Sequence, residues 1–342
     1  MKIKSIKKEV KILKESPWNI VEFSAAKDKK IKSNWKSVWN NKNNIIVTNA
    51  QWVLLHGDQT PYIDMIVADE VHGVKSSTEI SKLIKSVDIP YKFGCTGTMP
   101  KAVKDQWNII GIFGPILDEL EIETLQNKNI LANVNIKPIR FCHLKKENFK
   151  KLQDNNGNPI DIMEAAQSEY MNESQFLGEY LPTNEKICEL AEGLIKNKPD
   201  WNVLILFDYI AQGKQLYETS KHINKFYIDG SIKVEDRQKI VNIMDNNGGN
   251  ILFGNSKCIG TGLTIKKVNV IILCIIGSSS TKTIQAIGRG MQKKEDKSTV
   301  YVFDILHNYK YSQKHFKERC ENYLKFYKLK EGKDFKIKDI EI

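Results

Sequence analysis

An acidic pair at the end of an apolar run is the segment of this chain best suited to phosphate chemistry. Residues 63–68 are Ile-Asp-Met-Ile-Val-Ala, and Asp69-Glu70-Val71-His72 follow directly. In open α/β sheets, ligands bind beyond the carboxyl ends of the strands, where a carboxylate can act on a nucleotide. We predict that Asp69 holds Mg²⁺, that Glu70 activates water, and that His72 senses the nucleotide or bridges to a second domain. The alternative is a solvated Asp-Glu turn after an ordinary strand.

Two further segments combine small residues with groups that suit phosphate. Gly260-Thr261-Gly262 lets the backbone approach a phosphate closely, and Gln285-Ala286-Ile287-Gly288-Arg289 ends in a guanidinium suited to bidentate phosphate contact. The alternative for Arg289 is a salt bridge between domains. The turn Thr96-Gly97-Thr98 follows another strand-like run, and its hydroxyls can link the acidic pair to a neighbouring strand end. The interval from Glu70 to Thr96 leaves room for one helix and one strand, as between adjacent strands of one sheet.

The chain has no phosphate-binding loop of the form G-x-x-x-x-G-K-[ST]. Gly213-Lys214 and Gly332-Lys333 lack both the upstream glycine and the following Ser or Thr. The carboxylate that would hold the metal is therefore present, whereas the cradle for the β- and γ-phosphates is missing.

The hydropathy pattern predicts an α/β fold with parallel sheets. Short runs such as Val203–Phe207 are apolar throughout, which suits strands buried on both faces. Helical patterns such as 185–196 and 235–245 alternate with these runs. This alternation of strand and helix patterns stops between residues 131 and 182, and we interpret that segment as a connection between two domains.

Composition favours an anionic partner. The 342 residues carry a formal net charge of +11, which fits nucleic acid, although a lysine-rich codon bias would give the same value. The six cysteines form no C-x-x-C pair, so neither zinc nor a disulfide framework is indicated, and a reducing cytoplasm is the expected location. No apolar stretch reaches the roughly 18 residues of a membrane span.

The order of the segments resembles that of superfamily 2 helicases, from about residue 45 to the C-terminus. No single motif is diagnostic of the family, but the occurrence of seven motifs in the family's order is a specific signal for it. They are Ile46-Val47-Thr48-Asn49-Ala50-Gln51 (like motif Ib), Asp69–His72 (II), Thr96-Gly97-Thr98 (III), Val203–Phe207 (like IV), Tyr227-Ile228-Asp229-Gly230 followed by Arg237, Gly260-Thr261-Gly262 (V) and Gln285–Arg289 (VI).

This resemblance implies two RecA-like α/β domains, with ATP and Mg²⁺ as cofactors. Residues 1–130 would form an incomplete first motor domain, 131–182 a connecting segment, and 183–342 a second domain with a basic-aromatic tail. The resemblance assigns catalysis to Asp69, Glu70, His72, Gln285 and Arg289, nucleotide coupling to Thr96, Gly97, Thr98, Gly262 and Gly288, and nucleic-acid binding to Thr48, Gln51, Gly230, Arg237 and Thr261.

The implied function is ATP-dependent unwinding or remodelling of branched DNA in recombination or repair. Two departures qualify this expectation. The family's phosphate-binding loop would lie upstream of residue 1, so we expect a fragment that an upstream or separate P-loop segment completes. Gln292 stands where the family has a second arginine. The alternatives are a non-catalytic DNA-binding remnant or one half of a split motor. The motor part of a restriction enzyme would need nuclease residues, and we find none.

The two ends of the chain are basic and aromatic. Residues 1–42 contain 12 Lys and four acidic residues with three Trp interleaved, which suits either an amphipathic helix over a sheet or contact with nucleic acid. Near the C-terminus, Phe316, Cys320, Tyr323 and Tyr327 recur at helical spacing. We interpret this stripe as packing, with Lys314, Lys317, Lys325 and Lys328 facing solvent or DNA.

Overall fold

The chain divides into two compact units. The computed structural model describes residues 19–23, 44–48, 63–86, 88–100, 102–149, 162–260, 263, 265–274, 280–292 and 297–342. Unit 1 comprises Met1–Glu119 and unit 2 comprises Leu120–Ile342. In the described residues, no helix is both long enough and apolar enough to cross a bilayer.

Unit 1 contains two pairs of parallel strands. β1 (Asn19–Phe23) pairs with β2 (Asn44–Thr48), and β3 (Met65–Asp69) pairs with β4 (Tyr91–Cys95). A 3₁₀ turn (Val71–Gly73) follows β3, and the helices are α1 (Glu79–Ser86) and α2 (Val103–Phe113). A small core beneath β3 and β4 includes Val71, Val74, Ile84, Ile109 and Ile112.

Unit 2 is built on a sheet of seven parallel strands. Its strands in chain order are β5 (Asn133–Cys142), β6 (Val203–Phe207), β7 (Lys225–Ile228), β8 (Ile251–Asn255), β9 (Val270–Cys274), β10 (Thr299–His307) and β11 (Lys338–Glu341). Their spatial order is β11-β5-β10-β9-β6-β8-β7, and every pairing is parallel. The predicted α/β class with parallel sheets is confirmed. The two strand pairs of unit 1 form separate sheets, so the described residues contain three sheets where we expected two.

Helices cover both faces of this sheet. They are α3 (Ile122–Asn127), α4 (Ile162–Glu179), α5 (Leu181–Asn197), α6 (Ile210–Thr219), α7 (Val234–Asn246), α8 (Ser256–Gly260), α9 (Ser280–Gly290) and α10 (Lys310–Tyr327). All residues of β6, β8 and β9 are buried, because alternate side chains enter two separate cores. Continuous apolar runs are the sequence that such strands require.

The expectation of a connecting segment over 131–182 needs correction. β5 lies inside that range, yet it pairs with β10 and β11 in the sheet of unit 2. Its side chains alternate between exposed and buried over most of its length, and Ile136, Ile139 and Phe141 are in the core. The compact units also divide after Glu119, whereas we expected the first domain to end at residue 130.

A buried ion pair fixes helix α10 to the sheet. The guanidinium of Arg319 donates to both carboxylate oxygens of Asp304 on β10, at 2.9 Å from Nε and 2.8 Å from an Nη. The Tyr323 hydroxyl donates to the same carboxylate at 2.6 Å. Phe316, Tyr323 and Tyr327 are buried, so the aromatic stripe predicted at this end of the chain is a packing surface.

Helix α10 begins against a carboxylate from a distant part of the chain. The backbone N–H groups of Tyr311 and Ser312 donate to Glu173 of α4 at 3.2 and 2.8 Å. These groups belong to the first turn of α10, where N–H groups have no partner within the helix. Burial raises the pKa of Glu173, while the two N–H donors act in the opposite direction.

Two histidines meet near the carboxyl ends of β5 and β10. His143 Nε2 lies 3.0 Å from His307 Nδ1, and both residues are buried. Tyr180 and Tyr309 pack around His143, with ring centroids 4.7 and 5.0 Å away. Burial, with a smaller effect of nearby Lys146, lowers the pKa of His143 from 6.5 to about 4. Burial, with a smaller effect of His143, lowers the pKa of His307 to about 3.

We therefore expect unit 2 to lose stability in mild acid. The unfolded chain takes up protons at these histidines near pH 6.5, whereas folded His143 takes one up only near pH 4. Stability from the pair is complete above about pH 6.5 and falls as the pH drops below it, by up to about 1.4 kcal/mol per pH unit for each histidine. Urea unfolding at pH 7 and pH 5 measures this. His307→Gln should flatten the pH dependence, and an equal dependence in the variant would contradict the assignment.

Candidate nucleotide and nucleic-acid sites

The acidic pair lies where two neighbouring strands end. Asp69 is the last residue of β3 and is paired in register with Cys95, the last residue of β4. Asp69 and Glu70 are both exposed, and the Glu70 N–H donates to Asp69 Oδ1 at 2.9 Å. The predicted adjacency of these two strand ends is confirmed.

Glu70 turns the chain sharply at this edge. Its φ of 53° and ψ of 45° are in the left-handed region, which is uncommon for a residue other than glycine. Its carbonyl accepts a hydrogen bond from the Gly73 N–H at 3.0 Å, which closes the 3₁₀ turn. The turn places the Glu70 carboxylate beside the imidazole of His72, with Oε2 and Nδ1 3.1 Å apart.

His72 joins the acidic pair to the end of β4. Its Nδ1 lies 3.0 Å from the Thr96 hydroxyl, and that hydroxyl donates to the Thr98 carbonyl at 3.0 Å. A hydroxyl has one proton, so Thr96 accepts from His72, and the ring proton is on Nδ1. Thr98 is buried, whereas Gly97 between the two threonines is exposed. The structure thus brings together Glu70, His72, Thr96 and Thr98.

The carboxylate of Asp69 is suited to a Mg²⁺ ion that arrives bound to a nucleotide. Mg²⁺ is usually held by one or two carboxylates together with substrate phosphates and water. Among the described residues, no group of three or more His, Cys, Asp or Glu side chains could hold a metal ion. The ion would therefore depend on the nucleotide for most of its ligands, and it would supply charge neutralisation at the phosphates.

Polar residues of α2 support the segment that follows the acidic pair, and sequence analysis missed them. Asp105 Oδ1 accepts from both the N–H and the hydroxyl of Ser76, at 3.2 Å each. Asn108 donates to the Val74 carbonyl at 2.9 Å. Close packing adds to this support, because a Cβ on Gly94 would lie 3.0 Å from side-chain atoms of Val71 and Phe113. The one available signal was the presence of two polar residues on the inner face of an apolar helix.

In unit 2, Arg237 supports a turn. Its Nε donates to the Ile232 carbonyl at 2.8 Å and an Nη to the Gly230 carbonyl at 3.1 Å. Asp229 holds the same turn by accepting from the Ser231 N–H at 2.8 Å. The structure thus brings Gly230 and Arg237 together beyond the carboxyl end of β7, with Gly230 exposed.

The segment around Arg289 lies within helix α9. One Nη of Arg289 donates to the Leu263 carbonyl at 2.7 Å, which ties α9 to the loop after α8. Gln285 and Gly288 are partly buried on the same helix, and a Cβ on Gly288 would meet nothing within 4 Å. Gln292, just beyond α9, forms an antiparallel bridge with Leu131.

Four predicted residues have no described side-chain geometry. Gln51, Thr261 and Gly262 lie outside the described residues, as does most of the segment 1–42. Thr48 is the last residue of β2, and only its backbone is described. The nucleic-acid roles of these residues, like the catalytic and coupling roles above, stay predictions.

The comparison with known protein families concerns unit 2. Residues 184–294 match the helicase conserved C-terminal domain, which covers β6 to β9 and α9 of unit 2. The predicted resemblance to superfamily 2 helicases is confirmed. At the level of this family, the proteins are helicases that use ATP and Mg²⁺.

The sequence resembles that of the ATP-dependent DNA helicase uvsW of Enterobacteria phage T4. The two are 22% identical over 285 residues, which are 82% of this chain and 52% of uvsW. The chain thus spans about half the length of this relative. In the sequence, the segment 260–263 (motif V) and the aromatic-basic tail near residues 323–337 predict a resemblance to this protein, and the comparison confirms it.

Solved structures show the same fold. The ATP-dependent Type ISP restriction-modification enzyme LlaBIII bound to DNA matches 95% of this chain and 26% of its own chain, with a TM-score of 0.60 and 14% sequence identity. At that identity the match concerns the fold alone.

Proposed function

We propose that this chain is the motor portion of an ATP-dependent DNA helicase or translocase that acts on branched or recombination DNA. The observation that carries the proposal is the hydrogen-bonded path from Glu70 through His72 to Thr96 at adjacent strand ends. The order of the seven motifs and the similarity to a DNA helicase of a phage support it.

The proposed roles follow from the chemistry of each group. Asp69 holds Mg²⁺ on the nucleotide, and Glu70 orients and deprotonates the attacking water. Arg289 contacts phosphate. Its hydrogen bond to the Leu263 carbonyl couples the nucleotide state to the loop after α8. In unit 1, His72 and Thr96 couple the nucleotide state at Glu70 to the end of β4.

We further propose that a separate P-loop segment completes unit 1. The 342 residues contain no phosphate-binding loop, so the cradle has to come from another source. One face of the β3–β4 pair supports this proposal, because its apolar side chains are exposed: Met65 by 55%, Val67 by 62%, Tyr91 by 63% and Phe93 by 42%. A contiguous apolar patch of this kind marks an interaction site. Asp69 belongs to the same face, so a segment that covers it lies next to the metal-holding carboxylate.

Strand separation tests the proposed activity directly. The chain is mixed with the P-loop segment, and unwinding of a forked duplex and of a blunt linear duplex is followed in the presence of ATP and Mg²⁺. We expect the forked substrate to be opened faster. No unwinding or translocation of either substrate would contradict the proposal.

DNA binding by the chain should depend steeply on salt. The net charge of +11 indicates contacts mostly to the backbone. Each neutralised phosphate contributes a slope of about −0.7 to −0.9 to a plot of log affinity against log salt. Filter binding between low and high salt measures the slope. Salt-independent binding, or no binding at low salt, would contradict this expectation.

A non-catalytic DNA-binding remnant is the second candidate. Gln292 favours it, because an amide cannot supply the charge that an arginine gives to a γ-phosphate. Its place in a bridge with Leu131 is compatible with a structural role. The remnant would bind DNA with the same dependence on salt, but it would hydrolyse no ATP after the P-loop segment is added.

A further inference from the structure

A cavity lies at the amino-terminal ends of the strands of the unit 2 sheet. Its volume is about 470 Å³, and it is lined by Lys198, Asp200, Trp201, Lys267, Asn269 and Lys297. These residues directly precede β6, β9 and β10, so the cavity is at the amino ends of the strands. Nucleotide sites of parallel α/β sheets lie at the carboxyl ends, so this cavity is distinct from the site for ATP.

The floor of the cavity is rigid. Buried Asn202, directly before β6, donates through Nδ2 to the carbonyls of Met244, Asn247 and Lys267 at 2.7, 2.8 and 3.0 Å. Its Oδ1 accepts from the N–H and the side chain of Asn250, and its own N–H donates to Asn269 Oδ1. This asparagine cluster (Asn202, Asn250 and Asn269) joins the starts of β6, β8 and β9. A preorganised floor reduces the ordering that a ligand would otherwise require.

The wall of the cavity is rigid as well. The Gly249 N–H donates to the Trp201 carbonyl at 3.0 Å, and the Trp201 N–H donates to the Lys198 carbonyl at 3.0 Å. A Cβ on Gly248 would lie 2.4 Å from the carbonyl oxygen of Asp200, so only glycine permits this close approach.

The charge of the lining is positive. Within the described residues, the lining includes three lysines and one aspartate. The ammonium of Lys297 is buried, and it donates to the carbonyls of Lys266 and Gly290 at 2.7 Å each. Lys198 is exposed and Lys267 partly exposed, and within the described residues neither ammonium forms an ion pair. An anion is the ligand that this potential favours.

An aromatic pair stands beside the lysines. Trp201 stacks on Tyr301 with centroids 5.2 Å apart and an interplanar angle of 24°, and Lys137 lies 5.9 Å from the Tyr301 centroid. Aromatic side chains next to lysines are the combination that binds a nucleotide unit, with stacking on the base and charge on the phosphate.

We propose that this cavity binds the phosphate and base of a nucleotide unit. Lys198 and Lys267 contact the phosphate, and Trp201 provides the stacking surface. The unit comes either from a free mononucleotide or from single-stranded nucleic acid. The site goes beyond the proposed motor function, because it needs neither ATP hydrolysis nor the P-loop segment.

The experiment follows the indole N–H signal of Trp201 in the NMR spectrum of the full chain, assigned with Trp201→Phe. The probes are inorganic phosphate, deoxythymidine monophosphate and a short oligo(dT). The test variant is Lys198→Gln with Lys267→Gln. The control variant is Lys186→Gln with Lys239→Gln, which changes the net charge equally at two exposed helical positions of the same unit.

We expect the two nucleotide probes to shift the Trp201 signal, and we expect the test variant alone to weaken this binding. With oligo(dT), the test variant should lower the salt slope by about 1 for each lost phosphate contact, while the control variant keeps it. Tighter binding of oligo(dT) than of the mononucleotide assigns the site to nucleic acid, and equal binding assigns it to a free nucleotide. Equal behaviour of the two variants, or a Trp201 signal that no probe moves, would overturn the proposal.

Discussion

Replacing Glu70 by Gln is expected to abolish DNA-stimulated ATP hydrolysis in the protein completed by its P-loop segment. Glutamine keeps the shape of the side chain at the left-handed corner after β3, but it cannot accept the proton of the attacking water. A loss of about 4 kcal/mol of transition-state stabilisation corresponds to a rate roughly a thousand-fold lower. Phosphate release with saturating DNA and Mg²⁺ measures the effect.

Two controls accompany this measurement. Glu79→Gln removes an exposed carboxylate of α1 that pairs with Lys82, and it should leave turnover unchanged. The chain of 342 residues without the P-loop segment should show no turnover. Robust turnover by that isolated chain, removed by Glu70→Gln, would show that our interpretation of the missing loop is wrong. No turnover in the completed protein would favour the DNA-binding remnant, and Gln292→Arg would then be the first variant to assay.

Replacing Arg319 by Met is expected to destabilise unit 2 by about 3–5 kcal/mol. The change leaves the Asp304 carboxylate in the core without its cation, and Tyr323 alone cannot compensate for that charge. Asp304 and Arg319 are both almost completely buried, with side-chain exposures of 0% and 2%. The free energy of unfolding in urea measures the loss.

The surface pair Arg140–Asp339 is the matched control. Its N–O distance of 2.7 Å is close to that of the buried pair, but its side chains are 32% and 50% exposed. Arg140→Met should therefore cost no more than about 1 kcal/mol. The double variant Asp304→Leu with Arg319→Met should recover part of the loss, because no unpaired charge then remains. Equal effects of Arg319→Met and Arg140→Met would contradict the assigned role of burial.

The central strands of unit 2 could be predicted from the sequence because burial on both faces leaves a direct signal. β6 (Val203–Phe207) begins and ends where its apolar run does, and all of its residues are buried. β5 could not be predicted in the same way. It contains Lys137 and Pro138, and both of its partners follow it by more than a hundred residues, so no local pattern specifies its pairing.

The residues of the candidate site were also only partly predictable from the sequence. His72 and Thr96 were predictable as neighbours, because each follows a strand and adjacent parallel strands end together. Asp105 and Asn108 were not, since a polar residue in a short helix is usually solvated. Asn202 was also missed, because a single asparagine before a strand suggests a turn, whereas here it joins three strand starts.

The position of β5 has a consequence for synthesis of the chain. β5 leaves the ribosome before any other strand of its sheet, yet its two neighbours, β10 and β11, are the last to emerge. Its apolar residues therefore remain without their strand partners while four other strands and most of the helices of unit 2 are translated. Nascent chains with exposed apolar strands are prone to aggregate, and non-local pairing slows folding. The C-terminal tail that carries α10 and β11 thus determines when unit 2 can close, and a ribosome that stalls near residue 300 would release a chain whose first strand has no stable place in the sheet.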